Sequence, residues 1–204
     1  MTPLLNAIYL FLAAVAALPV VELALLAARR ARALRAYGAA RGGGALPVLY
    51  REERVGLLGQ PMLRYLAVPT IDDLRRGLDH VPADEPLDVI VHLPRDVPVD
   101  VDGMVALLER HRGPITLVVP VCALTGGRRL IGCADRVLAG RHAVVADGAE
   151  PAAPLAGGEL PGALGPVLAL YPQPPRRLTT LLFSSFDGTR VPPETGERLG
   201  LPQP

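Results

Sequence analysis

The sequence predicts an α/β protein with a largely parallel sheet, preceded by one apolar helix long enough to cross a membrane. Three observations predict it. Leu4–Ala28 is almost wholly apolar, with Asn6 and Glu22 as the exceptions. From Ala45 onward, short β-branched runs alternate with helical patterns, the signature of strands joined by helical crossovers. Between the two lies an arginine-rich neck that ends at Gly42-Gly43-Gly44, read as a flexible boundary.

Leu4–Ala28, at ~1.5 Å per residue, is long enough for a ~30 Å hydrocarbon core. No basic stretch precedes it, and the apolar run is longer than that of a typical cleaved leader. Pro19 is tolerable in a membrane helix. Glu22 lies towards the end of the span, where a carboxylate costs less than at the centre. Arg29, Arg30, Arg32, Arg35 and Arg41 follow, with no acidic residue among them. Positive charge flanking a span marks its cytoplasmic side. The expectation is a single-pass cell-membrane protein with its N-terminus outside and its C-terminal domain cytoplasmic. The same arginines suit anionic lipid headgroups.

Beyond the neck, Leu46–Tyr50 and Arg64–Val68 read as strands. Thr70 caps a helix over Ile71–Leu78, whose early Asp72 and Asp73 suit the helix dipole. Leu87–His92 is a strongly apolar third strand. Asp100 or Asp102 starts a helix that runs through His111. Ile115–Val119 is a fourth strand, β-branched and apolar as in a strand covered on both faces. Arg128–Ala134 reads as helix, and Arg136–Ala139 and Ala143–Val145 as short strands. After Asp147 the composition shifts. Ala149–Gln173 is rich in Ala, Pro and Gly, with an apolar run at Leu164–Leu170, and reads as a loop or shortened insertion. Leu178–Phe186 and Pro193–Leu199 read as helices. The chain therefore divides into a transmembrane helix (4–28), a juxtamembrane neck (29–44), an α/β core (45–148), a Pro/Gly/Ala-rich segment (149–177) and a C-terminal helical segment (178–204).

Composition narrows the chemistry. The 204 residues carry a net charge of +1, so no nucleic-acid partner is expected. The 21 basic residues are all arginine, which excludes a lysine general base or Schiff base. Cys122 and Cys133 lack metal-ligand spacing and read as reduced core residues. Neither a metal nor a cofactor is expected.

In open α/β sheets, ligands bind at the carboxyl ends of strands. Two such ends stand out, His92-Leu93-Pro94-Arg95-Asp96 and the turn Thr125-Gly126-Gly127. A hydroxyl followed by two glycines at a helix start is a place to build a nucleophile or an anion site, because the backbone N–H groups there are unpaired. The competing reading is a plain strand-to-helix turn with Thr125 as its cap. Arg95 and Arg128 lie close enough in this plan to hold an anionic ligand, but the preferred reading is that Asp96 or Asp135 neutralises them or that they reach solvent.

With these residues in view, the chain resembles the serine dehydrogenase proteinase family, a membrane-anchored branch of the Clp protease and crotonase fold, and is similar to signal peptide peptidase A. The likeness runs through the neck, Tyr50-Arg51-Glu52-Glu53, Leu57-Leu58-Gly59, Arg64-Tyr65, Asp88–His92, Pro120–Gly127, Ala134-Asp135 and the terminal Val191–Pro202. The resemblance implies a Clp protease/crotonase-like core of repeated ββα units that assembles into oligomers. It also places the site residues. Thr125 stands where the family keeps a serine nucleophile, followed by Gly126 and Gly127, whose N–H groups are the oxyanion donors that remain. Arg95 and Asp96 replace the two glycines whose N–H groups form the family's oxyanion hole, a donor worth about 3–4 kcal/mol of barrier. A histidine base is expected near Ala146, where there is none, leaving His92 and His142 as alternatives. The family's Gly-Pro-Val-Asp-Pro is reduced to Ala146-Asp147-Gly148-Ala149-Glu150. The expected function is a serine-peptidase-like scaffold or subunit with a degraded active site, in a homo-oligomer or a hetero-oligomer with a related protein. The alternative is a weak peptidase or esterase that uses Thr125.

Overall fold

The computed structural model describes residues 3–57 and 60–171. Helix α1 spans Pro3–Arg41, so the apolar segment and the arginine neck form one continuous helix. Ile8, Leu10, Phe11, Val20 and Leu25 along its first part are exposed. This helix is long and apolar enough to cross a membrane. It stops at Gly42, whose φ of 74° is the left-handed conformation that commonly ends helices. The Gly43 N–H then bonds back to Gly38 O at 3.0 Å, and the Gly44 N–H reaches Pro86 O at 2.8 Å. The glycines thus make a hydrogen-bonded junction rather than the flexible boundary that their composition suggested.

Strand β1 (Gly44–Leu49) leaves this junction directly. A hairpin follows, β2 (Arg51–Leu57) against β3 (Gln60–Ala67), antiparallel. The sequence reading missed β2, because Arg51-Glu52-Glu53-Arg54 offers no alternation of apolar and polar residues. Helix α2 (Ile71–Leu78) has the expected cap. Thr70 accepts from the Asp73 N–H at 3.2 Å, and Asp73 reaches back to Thr70. Strand β4 (Leu87–His92), helix α3 (Val101–Leu108, capped by Asp100) and strand β5 (Ile115–Val119) follow. Helix α3 ends one turn before His111. Then come β6 (Cys122–Ala123), α4 (Gly127–Gly132), β7 (Arg136–Ala139), β8 (Val144–Val145) and β9 (Ala153–Pro154). Helix α5 (Leu164–Ala169) lies within the segment read as loop.

The main sheet has the order β1-β4-β5-β7, and every pairing in it is parallel. Parallel sheets are covered on both faces, and β4 shows it, since all six of its residues are buried. Alternation divides them. Leu87, Val89 and Val91 join a core with Leu74 of α2, Met104 and Leu108 of α3 and Leu130 of α4. Ile90 faces the other way, into a core with Tyr37 of α1, Val118, and Leu164 and Val167 of α5. The short run at 164–169 is helical because Leu164 and Val167 are buried against that face, a tertiary contact that composition does not announce. A second small sheet, β6-β8-β9, meets the end of β4 through a bridge between Leu93 and Ala123. The result is a mixed α/β fold with a parallel sheet. The helices expected at 178–186 and 193–199 lie outside the described residues, as do 172–177.

Candidate active site

The Thr125 turn sits where the two sheets meet. Leu124 N–H bonds to Leu93 O at 2.7 Å, and Leu93 N–H to Cys122 O at 3.1 Å, which zips the end of β4 to β6. These bonds bring the two strand ends singled out in the sequence into contact. Thr125 is half-buried, and its Oγ1 donates to Pro94 O at 2.7 Å. The hydroxyl proton is therefore held by a backbone carbonyl. Thr125 does not cap α4. The cap position belongs to Gly126, with φ of 66° and no side chain to bond.

Both glycines are required by their surroundings. A Cβ on Gly126 would meet Val101 of α3, and the left-handed φ disfavours one in any case. A Cβ on Gly127 would come to 2.8 Å from Val145 and 3.0 Å from Ala123. The Gly127 N–H donates to Ala146 O at 3.0 Å. One of the two donors expected for an oxyanion is thus committed to the protein's own backbone.

The loop after β4 keeps an unusual shape without its glycines. Asp96 adopts φ of 62°, left-handed and rare for a residue with a side chain. Arg95 reaches across to the next loop, where its guanidinium donates to Gly148 O and, at 2.9 Å, to Glu150 O. Arg128 pairs with the Glu150 carboxylate at 3.1 Å. Neither Asp96 nor Asp135 plays the neutralising part considered for them, and Asp135 instead accepts from the Ile115 N–H at 2.7 Å.

The histidines are placed elsewhere. His92 is buried, on the face of β4 that carries Asp88 and Ile90, and its Nδ1 lies 3.6 Å from Cys122 Sγ. Gly126, by contrast, abuts α3 on the opposite side. His142 is exposed. His80 Nδ1 lies 2.6 Å from Arg76 O, and His111 Nε2 2.8 Å from Glu85 O. Among the described residues, no hydrogen bond joins Thr125 to a histidine.

Asp147 is the residue that sequence reasoning undervalued. Its Oδ1 is buried without a hydrogen-bond partner among the described residues. Its Oδ2 lies 3.9 Å from Arg129 Nε, and Arg129 also pairs with Asp102. Asp147 follows Ala146, the position where a base was expected, and that adjacency was the available signal. The reach of Arg95 to Gly148 and Glu150 had none, because the partners are 53 and 55 residues apart. No group of His, Cys, Asp and Glu side chains suited to a metal occurs among the described residues. The Cys133 thiol is pushed above its ordinary value by burial first and by the charge of Glu109 second.

Comparison with known proteins matches this arrangement to a family. The uncharacterized protein MJ0137 of Methanocaldococcus jannaschii is 24% identical over 145 residues, 71% of this chain and 45% of that protein. Protein MJ1495 of the same organism, also uncharacterized, is 25% identical over 117 residues, 57% of this chain and 40% of that protein. The matched regions thus cover less than half the length of either relative. No solved structure matches the chain. The profile of the ClpP-like SDH-type serine proteinases matches residues 1–157, which take in α1, the parallel sheet and the Thr125 turn, and the chain belongs to that family.

Proposed function

We propose that this chain is a single-pass, membrane-anchored member of the family whose peptidase site is degraded and which serves as a non-catalytic scaffold or subunit. The observation that supports this reading is the bond from Thr125 Oγ1 to Pro94 O at 2.7 Å. A nucleophilic hydroxyl must pass its proton to a base, and here the acceptor is an amide carbonyl, which is no base at neutral pH. The Gly127 N–H bond to Ala146 supports it further. The core is proposed to consist of repeated ββα units, for which the succession β5, β6, α4 is the best support. The partner is proposed to be another copy of this chain or a related protein.

The membrane reading rests on the exposed apolar length of α1 and on the arginines after it. Those arginines divide. Arg30 Nε bonds to Leu170 O at 2.8 Å and its guanidinium lies over Tyr171, while Arg41 binds Asp88. Arg29, Arg32 and Arg35 are exposed and are left for anionic headgroups on the cytoplasmic side.

The test uses the full chain in detergent with casein and acyl-ester substrates. Wild type and Thr125→Ala are expected to give the same background. Turnover in the wild type that Thr125→Ala abolishes would overturn the scaffold reading and establish the weak hydrolase instead.

A further inference from the structure

Two loops flank the Thr125 turn, and each is bonded to it. Pro94, on the loop after β4, accepts the Thr125 hydroxyl, and Ala146, at the end of β8, accepts the Gly127 N–H. The chain then continues as Asp147-Gly148-Ala149-Glu150, with Gly148 at φ of 56°. Three arginines hold these four residues. Arg95 crosses from the first loop to the carbonyls of Gly148 and Glu150. Arg128 of α4 takes the Glu150 carboxylate, and Arg129 approaches that of Asp147. Arg95 therefore joins one wall of the turn directly to the other.

The geometry points to residues 147–150 as a strap that closes the Thr125 turn, latched by Arg95. The latch is built to be reversible. The Arg128–Glu150 partners have side chains 53% and 55% exposed, so water and salt compete with their bond. The strap in its closed position also leaves Asp147 Oδ1 buried and unpartnered, which disfavours the closed state. Glycine at 148 supplies a left-handed hinge that no other residue type adopts as cheaply. Replacement of the family's oxyanion glycines then has a positive consequence. Arg95 supplies the side chain that fastens the strap, while Asp96 keeps the left-handed backbone turn beside it. The Thr125 turn opens to solvent only when the Arg95 bonds give way.

This inference rests on reading Thr125 as the family's nucleophile position, but it concerns access and not chemistry. The test is therefore made with a reporter. Thr125→Cys loses one methyl group and keeps a donor for Pro94. Its alkylation by iodoacetamide is followed in the full chain by site-resolved mass spectrometry, with Cys133 in the same molecule as the check on folding. Adding Arg95→Gln is expected to raise the rate at position 125 about tenfold, since two charge-assisted hydrogen bonds are lost. Cys133 is expected to react as before. A rate within about twofold of Thr125→Cys alone, with Cys133 unchanged, overturns the strap. If Arg95→Gln alters Cys133, the decision passes to Arg128→Gln, an exposed substitution expected to fold as wild type and to accelerate alkylation about threefold. A flat rate there overturns the proposal. Turnover assays read the scaffold proposal separately, because an inert protein with an opening strap satisfies both.

Discussion

Tyr37, near the end of α1, donates its hydroxyl hydrogen to Asp88 Oδ2 on the central strand β4 at 2.8 Å. Arg41 Nε reaches the same oxygen at 2.9 Å. Tyr37 is 1% exposed and Asp88 5%, so the bond is made inside the core. The helix that carries the apolar segment is thereby joined to the sheet that carries the Thr125 turn.

Asp88→Ala strands the buried Tyr37 hydroxyl and leaves Arg41 without its carboxylate. The expected cost is about 2–4 kcal/mol, between an unpaired buried donor and a broken buried ion pair. Asp88→Asn keeps an acceptor and is expected to cost about half as much, because it loses only the charge. Denaturant unfolding of the full chain in detergent checks both, and a change under about 0.5 kcal/mol for the alanine variant would contradict this account.

Asp96 is held at φ of 62° in the loop that carries Arg95. Asp and Asn tolerate this region better than other residues with a Cβ, and β-branched ones tolerate it least. Asp96→Gly relieves the strain but gains freedom in the unfolded chain, so the two effects are expected to cancel to within about 0.5 kcal/mol. Asp96→Val has no such compensation and is expected to lower stability by about 1–3 kcal/mol. Melting temperatures of the pair test it, and equal values for glycine and valine would be the contrary result.

Tyr50, buried at the end of β1, has its phenol pushed above the ordinary value by burial. A raised folded-state value contributes stability that is complete below the unfolded value, near 10, and is lost as the pH rises through the folded one. The unfolded chain releases its proton first. Stability is therefore expected to fall more steeply above about pH 10 in the wild type than in Tyr50→Phe. Urea midpoints for the two proteins at neutral and alkaline pH measure the difference, and parallel curves would remove Tyr50 as a cause.

Much of the fold was legible because its signals are local. The strands Leu87–His92 and Ile115–Val119 and the helix Ile71–Leu78 fall where apolar runs and the Thr70 cap put them. The hairpin strand Arg51–Leu57 and the helix Leu164–Ala169 were not legible, because the charged run Arg51–Arg54 and burial of a short helix against α1 and β4 leave no periodic trace. The two ends of the candidate site could be named in advance, and the family with them.

By itself the sequence determined the strands of the parallel sheet, the helices α2 and α3, the apolar first helix, the lack of lysine and the place of Thr125. Those follow from residue type and short-range spacing. The tertiary structure decided what each of these groups touches. It gave the Thr125 proton to Pro94, the Gly127 N–H to Ala146, Arg95 to Gly148 and Glu150, and Asp88 to the end of α1. The reason is physical. Each of these bonds joins groups at least 19 residues apart, and only the packing of α1 on β4, and of β4, β6 and β8 side by side, brings them within 3 Å or so, the ordinary reach of a hydrogen bond.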